Sequence, residues 1–247
     1  MWIPRWLGEC YSKLFLKFEL NPFTFKEAKE ALGYNEGKLS VALSKLHSKR
    51  LLLILDRGRP RTYRLLDPVN MVFLASGIVK NFERIPQERY LKLLLDCLHT
   101  ALKLFYLESF AVYGSVARGT ASETSDVDIL LISDSLSGSL ASRMDEMCSI
   151  EEGVREELKW LRDRGIYASL SFYPLRTEEA KRMPLILLDL TEEAVILYDR
   201  RGFLEGLLLD LKSKLLMRGA RRVIIDEQHW YWDLKPDYEF GDRVEIA

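Results

Sequence analysis

Apolar positions along the first quarter of the chain fall mostly at helical spacing. Cys10–Phe18 reads as a short helix, and Asn21-Pro22 then breaks the chain. Thr24 and Glu27 form a capping box, a hydroxyl at the cap and a carboxylate three residues on, which opens a helix over Phe25–Leu32 that stops at Gly33. The next helix is predicted over about Glu36–Lys49, with Leu39, Leu43 and Leu46 on one stripe and Lys38, Ser40, Ser44, Lys45 and His47 elsewhere. Leu51–Asp56 and Thr62–Leu66 read as strands around the basic turn Arg57-Gly58-Arg59-Pro60-Arg61. Beyond Asp67-Pro68 come a short apolar segment, Met71–Val79, and a stop at Arg84-Ile85-Pro86. An amphipathic helix is expected over Gln87–Tyr106, where Leu91, Leu94, Leu95, Leu98, Ala101, Leu102 and Phe105 share a face.

The period then changes. Strands are expected at Ser109–Tyr113, Asp126–Ile132, Ile166–Tyr173 and Ala194–Tyr198. Between and after them come a helix near Ser142–Arg164, a short one from about Thr177, and one over Leu204–Leu216. The chain therefore divides into residues 1–67, a connector 68–86, an α/β unit 87–221 and an aromatic tail 222–247. The class is α+β, with a mixed sheet in the second unit. The order of elements in residues 1–67 resembles a winged helix-turn-helix domain.

Charge sharpens this division. The totals of 36 Lys and Arg and 37 Asp and Glu nearly cancel, but residues 1–67 hold 13 against 7 and the rest 23 against 30. A basic front suits a phosphate backbone, so double-stranded DNA is the expected partner of residues 1–67. Lys38, Ser40, Ser44, Lys45, Arg57, Arg59 and Arg61 are the candidate DNA contacts. A solvated charged face on a protein-binding domain is the other reading of the same residues. With 48% apolar residues the chain can bury a core, and no apolar run approaches the roughly 20 residues of a membrane span. Cys10, Cys97 and Cys148 are too widely spaced for a disulfide framework or a zinc site. The opening residues lack the apolar stretch of a signal peptide, so a cytoplasmic protein is expected.

The residues with chemistry are concentrated in Tyr113-Gly114-Ser115-Val116-Ala117-Arg118-Gly119, a gap, and Ser125-Asp126-Val127-Asp128-Ile129. Gly114 allows close backbone approach to a phosphate, and Ser115 adds a hydroxyl. Asp126 and Asp128 are two apart on a strand, so they project together and make a hard oxygen site suited to Mg2+. Arg118 either contacts phosphate or stabilises the turn, and Ser125 is either a ligand or a cap. Glu123 reads as a turn residue.

These residues resemble the minimal nucleotidyltransferases of the DNA polymerase beta superfamily. Their motif is a hydrophobic residue, Gly-Ser or Gly-Gly, about ten residues, then Asp-hydrophobic-Asp/Glu-hydrophobic. The resemblance implies that Gly114 and Ser115 hold the nucleotide phosphates, with Arg118 and Ser125 as further phosphate-binding candidates. Asp126 and Asp128 would be catalytic metal ligands for Mg2+, with room for two ions. A nucleoside monophosphate would pass from NTP, ATP included, to a hydroxyl acceptor. A small helical protein partner and a homodimer remain open. The family also places a third carboxylate on a later strand as metal ligand and base. The corresponding stretch, Ile166–Tyr173, contains no Asp or Glu and presents Ser169 and Ser171 instead. The alternative is therefore a DNA-binding regulator or antitoxin-like protein whose nucleotide-binding domain is catalytically impaired. The tail holds His229-Trp230-Tyr231-Trp232 and Tyr238, expected to clasp the core or to stack a base.

Overall fold

In the computed structural model, which describes residues 3–56, 58–226 and 229–236, the capping box closes as the sequence predicts. The Thr24 N–H donates to Glu27 Oε2 at 2.7 Å, and helix α2 (Phe25–Leu32) ends on Gly33 in the left-handed region. Helix α1 covers Arg5–Phe18, starting one turn earlier than the sequence predicts, because Leu7 and Cys10 already bury there. Helix α3 covers Glu36–Ser48 and buries Leu39, Ala42, Leu43 and Leu46. Strands β1 (Phe23–Thr24), β2 (Leu52–Asp56) and β3 (Thr62–Leu65) form an antiparallel sheet of order β1-β3-β2. Helices and sheet share one core around Leu14, Phe23, Leu39, Leu46 and Leu52.

The segment expected as a connector is packed. Helix α4 (Pro68–Ala75), capped by Asp67, sends Phe73 into the core of the second unit, where Phe82 and Ile85 follow it. Helix α5 (Leu91–Leu104) is shorter than Gln87–Tyr106, and a 3-10 turn at Glu88–Tyr90 precedes it. His99 stacks on Phe73 with ring centroids 5.1 Å apart.

Strands β4 (Leu107–Tyr113), β5 (Val127–Ser133), β6 (Leu170–Leu175) and β7 (Val195–Asp199) form a mixed sheet of order β6-β5-β4-β7, in which only β5 and β6 run parallel. Along β5, Val127, Ile129 and Leu131 enter the core under α5, while Leu130 and Ile132 enter a second core on the other face. The opposite face is closed by α10 (Ile186–Glu193) and α11 (Phe203–Met217).

Two further expectations are corrected. The helix expected over Ser142–Arg164 is two helices, α7 (Leu140–Gly153) and α8 (Arg155–Arg162), broken at Val154. Gly153 sits against Thr100 of α5, whose Cγ2 leaves no room for a Cβ there. The strand expected at Ile166–Tyr173 starts only at Leu170. Over its described residues the tail is a hairpin of β8 (Arg221–Ile224) and β9 (Trp230–Asp233), which packs Trp232 and Leu234 on the second core, in line with the expected clasp. Helix α6 (Gly114–Arg118) and helix α9 (Thr177–Lys181) complete the elements named here. Among the described residues, no helix is long and apolar enough to cross a membrane.

Candidate nucleotide site

Tyr113, the last residue of β4, pairs with Asp128 on β5, and the chain turns at once into α6. Gly114 takes φ of 69°, and an ideal Cβ on it would overlap Asp128 Oδ2. Glycine is needed twice here, for a backbone that L-residues rarely adopt and for the space that the carboxylate fills. Ser115 follows on the first turn of α6, half-buried, and its carbonyl accepts from Thr120 N at 2.9 Å.

Asp126 lies one residue before β5 and is exposed, whereas Asp128 is half-buried. Both carboxylates are met by serines from the neighbouring chain segment. Ser169 Oγ donates to Asp126 Oδ1. Ser171 is the register partner of Asp128, and its hydroxyl hydrogen-bonds the carboxylate. Burial raises the Asp128 pKa above its ordinary value, and the Asp126 charge adds to this. The Ser171 hydrogen bond and the Arg118 guanidinium oppose the shift. Burial also pushes the Tyr113 phenol up to about 12, so it stays protonated beside the aspartates.

Arg118 and Ser125 are both engaged within the protein. Arg118 Nη1 pairs with Glu193 Oε2 on α10, and its guanidinium lies 4.9 Å from the Trp230 ring centroid. Ser125 Oγ accepts from Ser122 N at 2.8 Å, which closes the turn before Asp126. Glu123 is exposed and 3.7 Å from Arg89.

Residues 86–90 hold the loop that leads to Asp126. Gly119 lies against the Pro86 ring, and Gln87 both donates to and accepts from the Ala121 backbone, at 2.8 and 3.1 Å. Arg89 and the Tyr90 hydroxyl donate to the Ala121 and Ser122 carbonyls. Glu88 points the other way. It accepts from Ile54 N at 2.7 Å and meets His47 and Arg50 of the N-terminal unit. None of these contacts was read from the sequence, because each joins residues more than 30 positions apart.

In the N-terminal unit the structure splits the polar face of α3. Ser40, Ser44 and Arg61 line a shallow groove between α3 and the β2–β3 hairpin, together with His47. Lys38 and Lys45 lie on the other flank of the buried stripe, over the rings of Tyr34 and Trp6. Arg59 is exposed at the hairpin tip, and Arg57 lies outside the described residues. Trp230 and Trp232 both donate from Nε1 to Asp189 Oδ1, at 2.9 and 3.0 Å, while Tyr231 is exposed. Tyr238 also lies outside the described residues.

The segment from α5 to β7 carries the site. Residues 92–197 match the family model described as a nucleotidyltransferase domain. That match supports a nucleotidyltransferase-type segment and, with it, use of a nucleoside triphosphate in group transfer. A solved structure titled "Crystal structure of the toxin-antitoxin with AMP-PNP" is also similar, at 13% identity over 50% of this chain and 87% of that one. Its TM-score of 0.35 does not establish a shared fold. No curated protein sequence matches.

Proposed function

We propose that the protein is a Mg2+-dependent nucleotidyltransferase that moves a nucleoside monophosphate from a nucleoside triphosphate onto a hydroxyl acceptor. Residues 1–67 act, on the same proposal, as a winged helix-turn-helix unit for double-stranded DNA. The observation that carries the transfer reading is the fit of Gly114 against Asp128, with Asp126 beside it. This fit sets a bare backbone turn next to a pair of carboxylates.

The donors present suit one hard divalent cation that keeps most of its waters and takes its other ligands from phosphate. Asp126 and Asp128 would hold that cation, whose charge would offset the phosphates and stabilise departing pyrophosphate. Ser169 and Ser171 orient the two carboxylates. Gly114 keeps the turn open, and Ser115 offers a hydroxyl to a phosphate oxygen. Arg118 supplies positive charge near Asp128.

Incubation with labelled ATP, CTP, GTP and UTP, Mg2+ and a cell extract tests this reading. A labelled product is expected, lost in Asp126→Asn. Failure to label anything, in wild type and variant alike, would overturn it.

One observation favours a second reading, a DNA-binding regulator that holds nucleotide without turning it over. Serines stand where a third carboxylate would accept the acceptor's proton. Nucleotide binding without any transfer selects that reading.

A further inference from the structure

Glu193, the last residue of α10, holds two guanidinium groups at once. Arg118 meets Oε2 and Arg222 meets Oε1, while the carboxylate side chain is only 5% exposed. The arginines come from distant parts of the chain, Arg118 from the turn that follows Gly114 and Arg222 from β8 in the C-terminal hairpin. Both lie over Trp230, at 4.9 and 4.1 Å from its ring centroid, and Asp189 anchors that indole.

Hydrogen bonding does not close within this cluster. Arg118 and Arg222 share the Glu193 carboxylate, and Asp189 stands on the other side of Trp230. Arg222 Nε is a buried donor with no hydrogen-bond partner among the described residues. Buried donors are nearly always satisfied, so an unmade one leaves room for a further acceptor. The cluster also borders the candidate site, because α6 packs on α10 and Arg118 acts electrostatically on Asp128.

We propose that Arg222 is a phosphate-binding residue. On this proposal the C-terminal hairpin walls the nucleotide site, and Arg118 and Arg222 together take the polyphosphate of a nucleoside triphosphate opposite Asp126 and Asp128. The inference rests on the nucleotide reading of the preceding section. Guanidinium suits the role, being always charged and presenting a planar fork of donors that matches phosphate oxygens. Glu193 holds both forks in place before the ligand arrives, and phosphate oxygens then compete with it for the same donors. Trp230 stacks on the guanidinium faces of both arginines.

Calorimetric titration of the full chain with inorganic tripolyphosphate, and with a non-hydrolysable ATP analogue plus Mg2+, tests the assignment. Arg222→Gln should weaken both ligands about tenfold, and Arg222→Lys should weaken them less, since it keeps the charge but not the fork. Trp232→Phe serves as the structural control. It removes the neighbouring anchor of the hairpin on Asp189 and should lower the melting temperature without a comparable loss of affinity. Unchanged affinity in Arg222→Gln, or an equal loss in Trp232→Phe, overturns the assignment while the nucleotide reading stands. If Arg222→Gln does not fold, Arg222→Lys decides by the same comparison. A wild-type protein that binds neither ligand overturns the nucleotide reading and this inference with it.

Discussion

The Asp128 carboxylate occupies the space in which a side chain on Gly114 would have to sit. The glycine at the turn and the aspartate on the strand are therefore one feature, fixed by the pairing of Tyr113 with Asp128. Gly114→Ala should push the carboxylate aside and strain a backbone held at φ of 69°. Since displacement of a reacting group by about 1 Å can cost roughly 100-fold in rate, transfer should fall by about that factor. Strain at positive φ should also cost about 1 kcal/mol of stability. Steady-state transfer assays and denaturant melts measure the two effects separately, and full activity in Gly114→Ala would contradict the arrangement.

Ser171 gives the complementary test. It sits in register with Asp128 on the adjacent parallel strand, and an aspartate there would add a third oxygen ligand on the same face. Ser171→Asp should raise Mg2+ affinity and, if the missing carboxylate limits proton removal, raise turnover as well. Without metal it should destabilise the protein, because a third negative charge would join Asp126 and an Asp128 whose pKa burial already raises. Titration of Mg2+ against melting temperature reads both signs: a lower baseline and a steeper rise. An unchanged response would mean that position 171 does not face the cation.

The same strand bears on how much of the site was legible. The Gly114-Ser115 and Asp126-Asp128 pairs could be read because each is local and a strand's alternation is reliable. That serines rather than carboxylates face Asp126 and Asp128 could also be read from Ile166–Tyr173, although the strand starts later than expected. The contacts that position these groups could not. Gln87 on Ala121, Glu88 on Ile54 and Arg222 on Glu193 join residues far apart, and no period or spacing announces them. Helix α3 shows a milder failure. Its polar residues read as one face, yet Lys45 turns toward Trp6 while Ser44 turns toward the hairpin. The break at Val154 was hidden because no proline marks it, and Gly153 before it packs closely on Thr100 of α5.

Arg64 and Glu157 tie the N-terminal unit to α8. Both are buried, with two parallel hydrogen bonds of 2.5 and 2.8 Å, and the Arg64 guanidinium stacks 3.4 Å from the Trp160 ring centroid. Glu157→Ala should cost about 3–5 kcal/mol, because it leaves a buried guanidinium without its partner. Arg64→Met combined with Glu157→Leu should recover much of that loss, since neither charge then remains buried. Urea melts of the three variants check this. A double variant as unstable as Glu157→Ala would show that the pair contributes more than its mutual neutralisation.

Arg59 and Arg61 test the DNA reading through salt rather than through affinity alone. Both are exposed, and Arg61 lines the groove beside Ser40 and Ser44 of α3. A cation that neutralises one phosphate releases about one counterion, so each contact contributes roughly 0.9 to the slope of log affinity against log salt. Arg61→Gln and Arg59→Gln should each flatten that slope by about one and weaken binding across duplex sequences. Ser44→Ala should leave the slope unchanged and act only on sequence preference, because a hydroxyl carries no charge. Fluorescence anisotropy over a salt series reads all three. A slope indifferent to both arginines would move the nucleic-acid contact away from this groove, and no binding to any duplex would make the basic front of the chain a solvated surface.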